Sequence, residues 1–274
     1  SGELHGMARP RGFTQDDAHI ICTKEQFREE YRKVVEMIME MLSVFGFQRT
    51  KFYLAIREPE KMDEYVGDKE VWDTAEKTIE EILSEQGMDY EVEEGGAKFY
   101  GPSLDVKILD AIGREWQCST VQLDMNLPAK FGMTYTGSDG QEYNPIMLHR
   151  TVLGSMERFC AVLIEHFGGA FPVWLAPEQV RVVSVGDDHH QYCQKLIQEF
   201  KEHDIRAAAD IEDDTVNYKI KKGTKEKVPY ILVIGDKEMN NDLLTIRDRG
   251  SDETRELNKE EFIQEVQKKI GIKK

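Results

Sequence analysis

His149-Arg150-Thr151-Val152-Leu153-Gly154-Ser155-Met156-Glu157-Arg158-Phe159 sets an imidazole and two guanidinium groups into an otherwise apolar stretch that runs to Phe167 and stops at Gly168-Gly169. The apolar content and the glycine stop predict a helix over 149–167, with His149, Leu153 and Met156 on one face. Arg158 then lies about two and a half turns beyond His149. An arginine on a mostly apolar helix is costly unless it meets a phosphate or a carboxylate, which makes Arg158 a functional candidate. His149 alone reads more readily as a core histidine than as a metal ligand.

Before this stretch the pattern is strands with two long helices. Thr23 and Gln26 have capping-box spacing, and Phe27, Tyr31, Val34, Val35, Ile38, Met39, Leu42 and Phe45 recur at helical intervals, so a helix is predicted through about residue 45. A second helix is predicted over 73–86, and strands over 46–56, 97–100, 104–109 and 115–123, the last two joined by a turn at Asp110-Ala111-Ile112-Gly113. After residue 176 the grammar changes to strand, helix, strand, helix, strand, strand and a terminal helix, which predicts a mixed, mainly parallel sheet sandwiched by helices. The expected organisation is thus an α+β domain over 1–176 with an antiparallel sheet, followed by a compact α/β domain over 177–274.

Composition narrows the function classes. The 274 residues carry a formal charge of −16, which excludes nucleic-acid binding by bulk electrostatics and leaves only local RNA contacts. Most of the acidic excess falls before residue 177. Beyond it, Lys219, Lys221, Lys222, Lys225 and Lys227 crowd together, which suits either an RNA-backbone patch or a solvated helix end. No apolar run is long enough to span a membrane, and the first residues lack a signal-peptide core, so a cytoplasmic protein without membrane or DNA partners is expected. Cys22, Cys118, Cys160 and Cys193 are far apart, giving neither a disulfide framework nor a cysteine-only zinc site.

Two further segments hold chemically capable groups. In Arg9-Pro10-Arg11-Gly12-Phe13-Thr14-Gln15-Asp16-Asp17-Ala18-His19 the arginines could grip a polyphosphate and Phe13 could stack on a purine, although a charged surface loop would look the same. The other combines Phe99-Tyr100-Gly101-Pro102 with Trp116-Gln117-Cys118-Ser119-Thr120-Val121-Gln122-Leu123-Asp124. Gln117 and Gln122 are five apart, so a regular strand would turn them to opposite faces, and only a bulge or a strand end would bring both into one pocket.

Taken together, in this order and spacing, GFTQDDAH at 12–19, FYGP at 99–102, WQCSTVQLD at 116–124, HRTVLGSMERF at 149–159 and GDKE at 235–238 resemble the threonyl-tRNA synthetases of class II. The resemblance runs over essentially the whole chain. It implies activation of L-threonine by ATP and Mg²⁺ to threonyl-adenylate, then transfer to tRNA(Thr), on a class II antiparallel-sheet catalytic domain followed by an anticodon-binding domain. By the same resemblance His19 and His149 are two ligands of a zinc ion whose third ligand, a cysteine, is expected ahead of residue 1. The first class II motif and the arginine of the second are expected there as well, so the stretch given is expected to be inactive alone, and a homodimer is expected at full length.

Residue by residue, Arg9 and Arg158 would contact the ATP phosphates and Phe13 would stack on adenine, while Gln15, Asp17 and Tyr100 would surround threonine. Gln117 and Gln122 would border the adenylate. Glu238 and Arg247 match anticodon-reading positions, and Lys219 and Lys222 would face the tRNA backbone. Two departures stand out: Ser103 replaces a customary lysine, with Lys107 on the same strand face, and Asp213 replaces a customary asparagine. An accessory RNA-binding protein that has lost aminoacylation is the alternative. The paired histidines favour the threonyl enzyme over prolyl or seryl relatives.

Overall fold

The computed structural model describes residues 3–271 and divides them into two compact units, one ending at His166 and one beginning at Phe167. In the first unit the elements are β1 (Ala18–Cys22), α1 (Phe27–Val44), β2 (Thr50–Ile56), α2 (Lys69–Glu85), β3 (Glu91–Glu94), β4 (Ser103–Leu109), β5 (Glu115–Asp124), the single turn α3 (Leu127–Lys130), a small hairpin of β6 (Tyr135–Thr136) and β7 (Glu142–Tyr143), β8 (Ile146–Thr151) and α4 (Met156–Phe167). Six strands form one sheet in the order β1-β8-β5-β4-β2-β3. All neighbours are antiparallel except β2 and β3.

Why α1 forms is plain from its ends and its stripe. Thr23 and Gln26 exchange reciprocal hydrogen bonds, the Thr23 N–H to Gln26 Oε1 at 3.0 Å and the Gln26 N–H to Thr23 Oγ1 at 3.3 Å, so the capping box lies in the turn that leads in. Phe27, Tyr31, Val34, Val35, Ile38 and Leu42 are buried along one face. Each contributes roughly 1.5–3 kcal/mol by leaving water. The alternate residues Leu104, Val106 and Ile108 of β4 are fully buried as well, whereas Asp105 and Lys107 on its other face stay partly open. One side of the sheet is therefore core, and the other is free to carry a site.

Two expectations need correction here. His149 lies on β8, not on a helix, and the helix begins seven residues later at Met156. Ile146, Met147 and Leu148 are buried in mid-sheet, so the strand lacks the alternation that would mark it, and its apolar run merges with that of α4. Gly154, at φ +70, breaks the two apart, and the Ser155 hydroxyl accepts from the Arg158 N–H at 3.3 Å to start α4. Residues 97–100 form a turn rather than a strand, closed by the Gly101 N–H to Lys98 O at 3.1 Å, and the exposed Glu91–Glu94 takes the sheet edge instead. Four close glutamate and valine positions carry no periodic signal.

The second unit has β9 (Val180–Ser184), α5 (His190–Glu202), β10 (Ala207–Asp210), α6 (Val216–Lys225), β11 (Tyr230–Ile234), α7 (Asp236–Asn240), β12 (Leu243–Asp248), β13 (Thr254–Asn258) and α8 (Lys259–Gly271). Their order is β10-β9-β11-β12-β13, with β10, β9 and β11 parallel and the remaining pairs antiparallel. The sheet is therefore evenly mixed rather than mainly parallel. The extra strand is β13, whose polar Thr-Arg-Glu-Leu-Asn sequence suits an edge and hides it from hydrophobic patterning. Val180, Val182, Leu232, Tyr230, Phe200 and Phe262 share the core, with Phe262 edge-on to both Phe200 and Tyr230.

Candidate active site

Backbone register builds a row of side chains across the open face of the first unit's sheet. His19 of β1 is opposite His149 of β8, His149 is opposite Gln122 of β5, and Gln122 is opposite Ser103 of β4. The two imidazoles, 130 positions apart in the chain, meet edge-on with ring centroids 4.5 Å apart. Tyr100 leans over His149 at 5.5 Å and donates its hydroxyl to Gln122 Oε1 at 2.6 Å. Burial, with the Asp124 and Asp17 carboxylates beyond it, raises the Tyr100 pKa, so that hydroxyl stays a donor.

Tyr100 reaches this position because Gly101 lets the chain pass close to β5. A Cβ on Gly101 would overlap the carbonyl oxygen of Leu123.

Beneath His149 is Asp124, whose side chain is fully buried; Nε2 of His149 is 2.9 Å from its Oδ2. Burial pushes this carboxyl up, but the hydrogen bonds from His149 and from the Leu127 and Asn126 N–H groups outweigh it and hold the pKa below the usual range.

The pairing of β4 with β5 slips between Val106 and Lys107: Val106 faces Ser119, while Lys107 faces Gln117. Cys118 is the extra residue of a β-bulge, and it turns Gln117 onto the same face as Gln122. Both glutamines, with Thr120 between them, line one cavity of about 570 Å³. Gln117 Nε2 donates to Thr120 Oγ1 at 3.1 Å, and that hydroxyl donates to Asp105 at 2.8 Å. Burial pushes the Cys118 thiol up to about 12, which keeps it protonated and unreactive beside the cavity.

Arg9, Phe13, Gln15, Asp17, Tyr100, His149 and Arg158 border the same cavity. Arg158 donates through Nε to Ala8 O at 3.0 Å and through Nη1 to Gln117 O at 3.1 Å. Its guanidinium and that of Arg9 sit 5.7 and 6.0 Å from the Trp116 ring centroid. Neither has a carboxylate partner among the described residues, so their charges remain available to an anion. Phe13 is 56% exposed, open for stacking.

The loop that carries these groups is stitched to the turn before α4. Asp16 accepts from the N–H groups of Val152 at 2.9 Å, Leu153 at 3.1 Å and Gly154 at 3.0 Å, and Glu157 accepts from the Thr14 N–H at 3.0 Å. Sequence reasoning assigned no role to Asp16, Asp124, Thr120 or Trp116. Their partners lie in distant segments, and only Asp16 and Asp124 offered a hint, as carboxylates inside the quoted motifs.

His19 is exposed and is not among the residues bordering the cavity, although its ring touches His149. No group of three or more metal-binding side chains occurs among the described residues. Two imidazoles 4.5 Å apart, one of them solvent-exposed, are nonetheless a donor set of the right type for zinc with a further ligand from elsewhere. Ser103 is buried, its hydroxyl without a partner among the described residues. Lys107 does not substitute for a cation there, since its ammonium lies 3.8 Å over the Tyr53 ring and 3.7 Å from Glu115.

In the second unit, Glu238 is buried and accepts from the Gly235 N–H at 3.0 Å and the Thr245 hydroxyl at 2.6 Å. Arg247 donates to Asp252 O at 3.1 Å. Lys219, expected at an RNA surface, is instead 2% exposed, with Nζ 3.2 Å from Ser184 O and 3.1 Å from Ser184 Oγ. It falls on the inner side of α6, where periodicity in a lysine-rich helix gives no warning. Lys222 stays on the surface, 3.7 Å from the buried Asp210 carboxylate. Asp213 is exposed.

Residues 1–167 match the tRNA synthetase class II core domain (G, H, P, S and T), and residues 179–269 match the anticodon binding domain. The chain is 44% identical to the threonine–tRNA ligase of Sulfurihydrogenibium sp. over 273 residues, which is all of this chain and 42% of that protein. It is also 44% identical to the threonine–tRNA ligase of Aquifex aeolicus, with the same coverage of 100% and 42%. The solved RNA binding domain of threonyl-tRNA synthetase from Cryptosporidium parvum superimposes with a TM-score of 0.91 at 33% identity, over 98% of this chain and 66% of that one. The chain thus spans about two fifths of the length of the curated relatives it matches. With a class II core, an anticodon-binding domain and this similarity along its whole length to threonine–tRNA ligases, the chain belongs to the class II aminoacyl-tRNA synthetases.

Proposed function

We propose that this chain is the part of a threonine–tRNA ligase that completes the activation site and binds the anticodon, with residues 1–176 catalytic and 177–274 facing tRNA(Thr). The observation that carries it is the convergence on one sheet face of the His19–His149 pair, the Tyr100–Gln122 bond and the unpaired Arg9 and Arg158 guanidinium groups. ATP would lie with adenine on Phe13 and its phosphates between Arg9 and Arg158, accompanied by Mg²⁺. Gln117 and Gln122 would border the adenylate, and Gln15, Asp17 and Tyr100 would hold L-threonine. The chemistry asked of the protein is to align the threonine carboxylate with the α-phosphorus and to neutralise developing charge, work suited to fixed guanidinium groups.

Zinc would be held by His19 and His149 with a cysteine from outside these residues. When bound, it would supply a Lewis-acidic centre that takes both the amine and the hydroxyl of threonine and so rejects valine. In the second unit Lys222 and Arg247 would contact tRNA, and Glu238, tied to Gly235 and Thr245, would present its loop. Among the described residues no helix is long and apolar enough to cross a membrane. A cytoplasmic homodimer at full length is the corresponding assembly.

Threonine-dependent exchange of labelled pyrophosphate into ATP, measured on a full-length protein containing these residues, tests the assignment. Exchange with threonine but not valine is expected. Zinc-loaded, folded protein that binds tRNA yet shows no exchange would overturn it in favour of an accessory RNA-binding protein.

A further inference from the structure

We propose that Asp124 is the positioning residue of the metal centre, fixing the tautomer and ring plane of His149 so that its Nδ1 is the nitrogen presented to the ion. This rests on the zinc assignment above.

Asp124 is fully buried at the end of β5, and its two oxygens have separate tasks. Oδ1 accepts from the N–H groups of Asn126 at 2.9 Å and Leu127 at 2.8 Å, which locks the carboxylate to the turn entering α3. Oδ2 is left for Nε2 of His149 at 2.9 Å. A carboxylate can only accept, so the hydrogen in this contact belongs to Nε2. Neutral imidazole carries one hydrogen, and placing it on Nε2 leaves the Nδ1 lone pair free to bind a cation. No hydrogen-bond partner of His149 Nδ1 occurs among the described residues. The His19 ring stands edge-on at 4.5 Å and is the second imidazole that would hold the ion. A carboxylate that orients a metal-binding histidine typically changes metal affinity ten- to a hundredfold when it is removed.

The strand position of the pair adds a second constraint. Asp124 and Gln122 share one face of β5, Gln122 directly opposite His149 and Asp124 two residues further along opposite Met147, and Gln122 is tied by its oxygen to the Tyr100 hydroxyl. The hydrogen bond of Nε2 runs to Asp124 and not to the Gln122 oxygen across from it.

The test uses full-length protein labelled with ¹⁵N-histidine, with Asp124→Asn as the near-isosteric variant that retains an oxygen for the Asn126 and Leu127 N–H groups. Long-range ¹H–¹⁵N correlation spectra of the zinc-free protein, assigned with His149→Gln, should show His149 as the Nε2–H tautomer. Competition between the protein and a chromophoric chelator for added zinc chloride should show ten- to hundredfold weaker binding in Asp124→Asn, with a melting temperature within a few degrees of the parent. An Nδ1–H tautomer in the parent, or equal zinc affinity in parent and variant, overturns the proposal and leaves the zinc assignment standing. Should the parent bind no zinc while His149 is the Nε2–H tautomer, the zinc assignment itself fails, and the role of Asp124 at a metal fails with it.

Discussion

Gln117 and Gln122 line the same cavity although five residues separate them along one strand, because Cys118 is an unpaired extra residue opposite the Val106–Lys107 step of β4. Deleting Cys118 would restore regular alternation and turn Gln117 to the opposite face. Arg158 would also lose the Gln117 carbonyl it grips at 3.1 Å. ATP affinity, read by isothermal titration, is expected to fall by about tenfold or more, since each lost hydrogen bond to a charged group is worth roughly 1.5–3 kcal/mol. Unchanged affinity would show that the bulge does not serve the site.

Gly101 allows the backbone of the Tyr100 turn to lie against β5. The Gly101→Ala variant would force its methyl into the Leu123 carbonyl, so either β5 or the turn must shift. A loss of about 3 kcal/mol in urea denaturation is expected, the upper end for overpacking. Gly96→Ala, which meets a flexible Glu93 side chain and the Ala55 methyl at 3.0 and 3.1 Å, is expected to cost less.

Asp110 predicts an acid limb. Burial would raise its pKa, but hydrogen bonds from the Trp116 indole and Arg114, with the nearby Arg114 charge, hold it down to about 2. Glu265, whose partial burial would raise it but which is bound by Arg255 and Lys269, is likewise held at about 2. Both folded values lie below the unfolded ones of about 4. The stability they contribute is therefore fully present above roughly pH 4 to 5 and is lost as the pH falls toward 2. Urea midpoints measured between pH 2 and 6 should decline over that window, and Asp110→Asn should be less stable at pH 6 while its midpoint declines less steeply. A decline as steep as the parent's in that variant would exclude Asp110 as the source.

Lys219 and Lys222 sit three residues apart on α6 and should behave oppositely. Lys219→Met removes a buried ammonium that serves Ser184 and is expected to cost about 1–3 kcal/mol of stability without changing the salt dependence of tRNA binding. Lys222→Ala should lower the slope of log affinity against log salt by roughly 0.7–0.9, one phosphate contact, with a smaller effect on folding. Filter binding across a salt series decides it; a changed slope for Lys219→Met would contradict the burial.

How much of this was legible beforehand depends on where each signal is stored. Thr23 with Gln26 announced α1 because a cap acts within three residues. That a bulge or a strand end must lie between Gln117 and Gln122 was legible from parity alone, though not which of the two, nor its position at Cys118. The helix over 149–167 was misplaced at its start, since Ile146–Leu148 is buried on both faces and a buried strand has no alternation to distinguish it from a helix. The strand Thr254–Asn258 was missed because a polar edge needs no apolar pattern.

The order and spacing of short motifs determined the family and the identity of the groups that could act, because side-chain chemistry is local: imidazoles, guanidinium groups and amides keep their capabilities wherever they fall. Only the tertiary structure decided which of them meet. Strand register puts His19 against His149, a single buried carboxylate aims that imidazole, and the inward side of α6 withdraws Lys219 from the surface. Those outcomes follow from pairing between segments distant in the chain and from which helix face leaves water, neither of which is encoded within any one stretch of the chain.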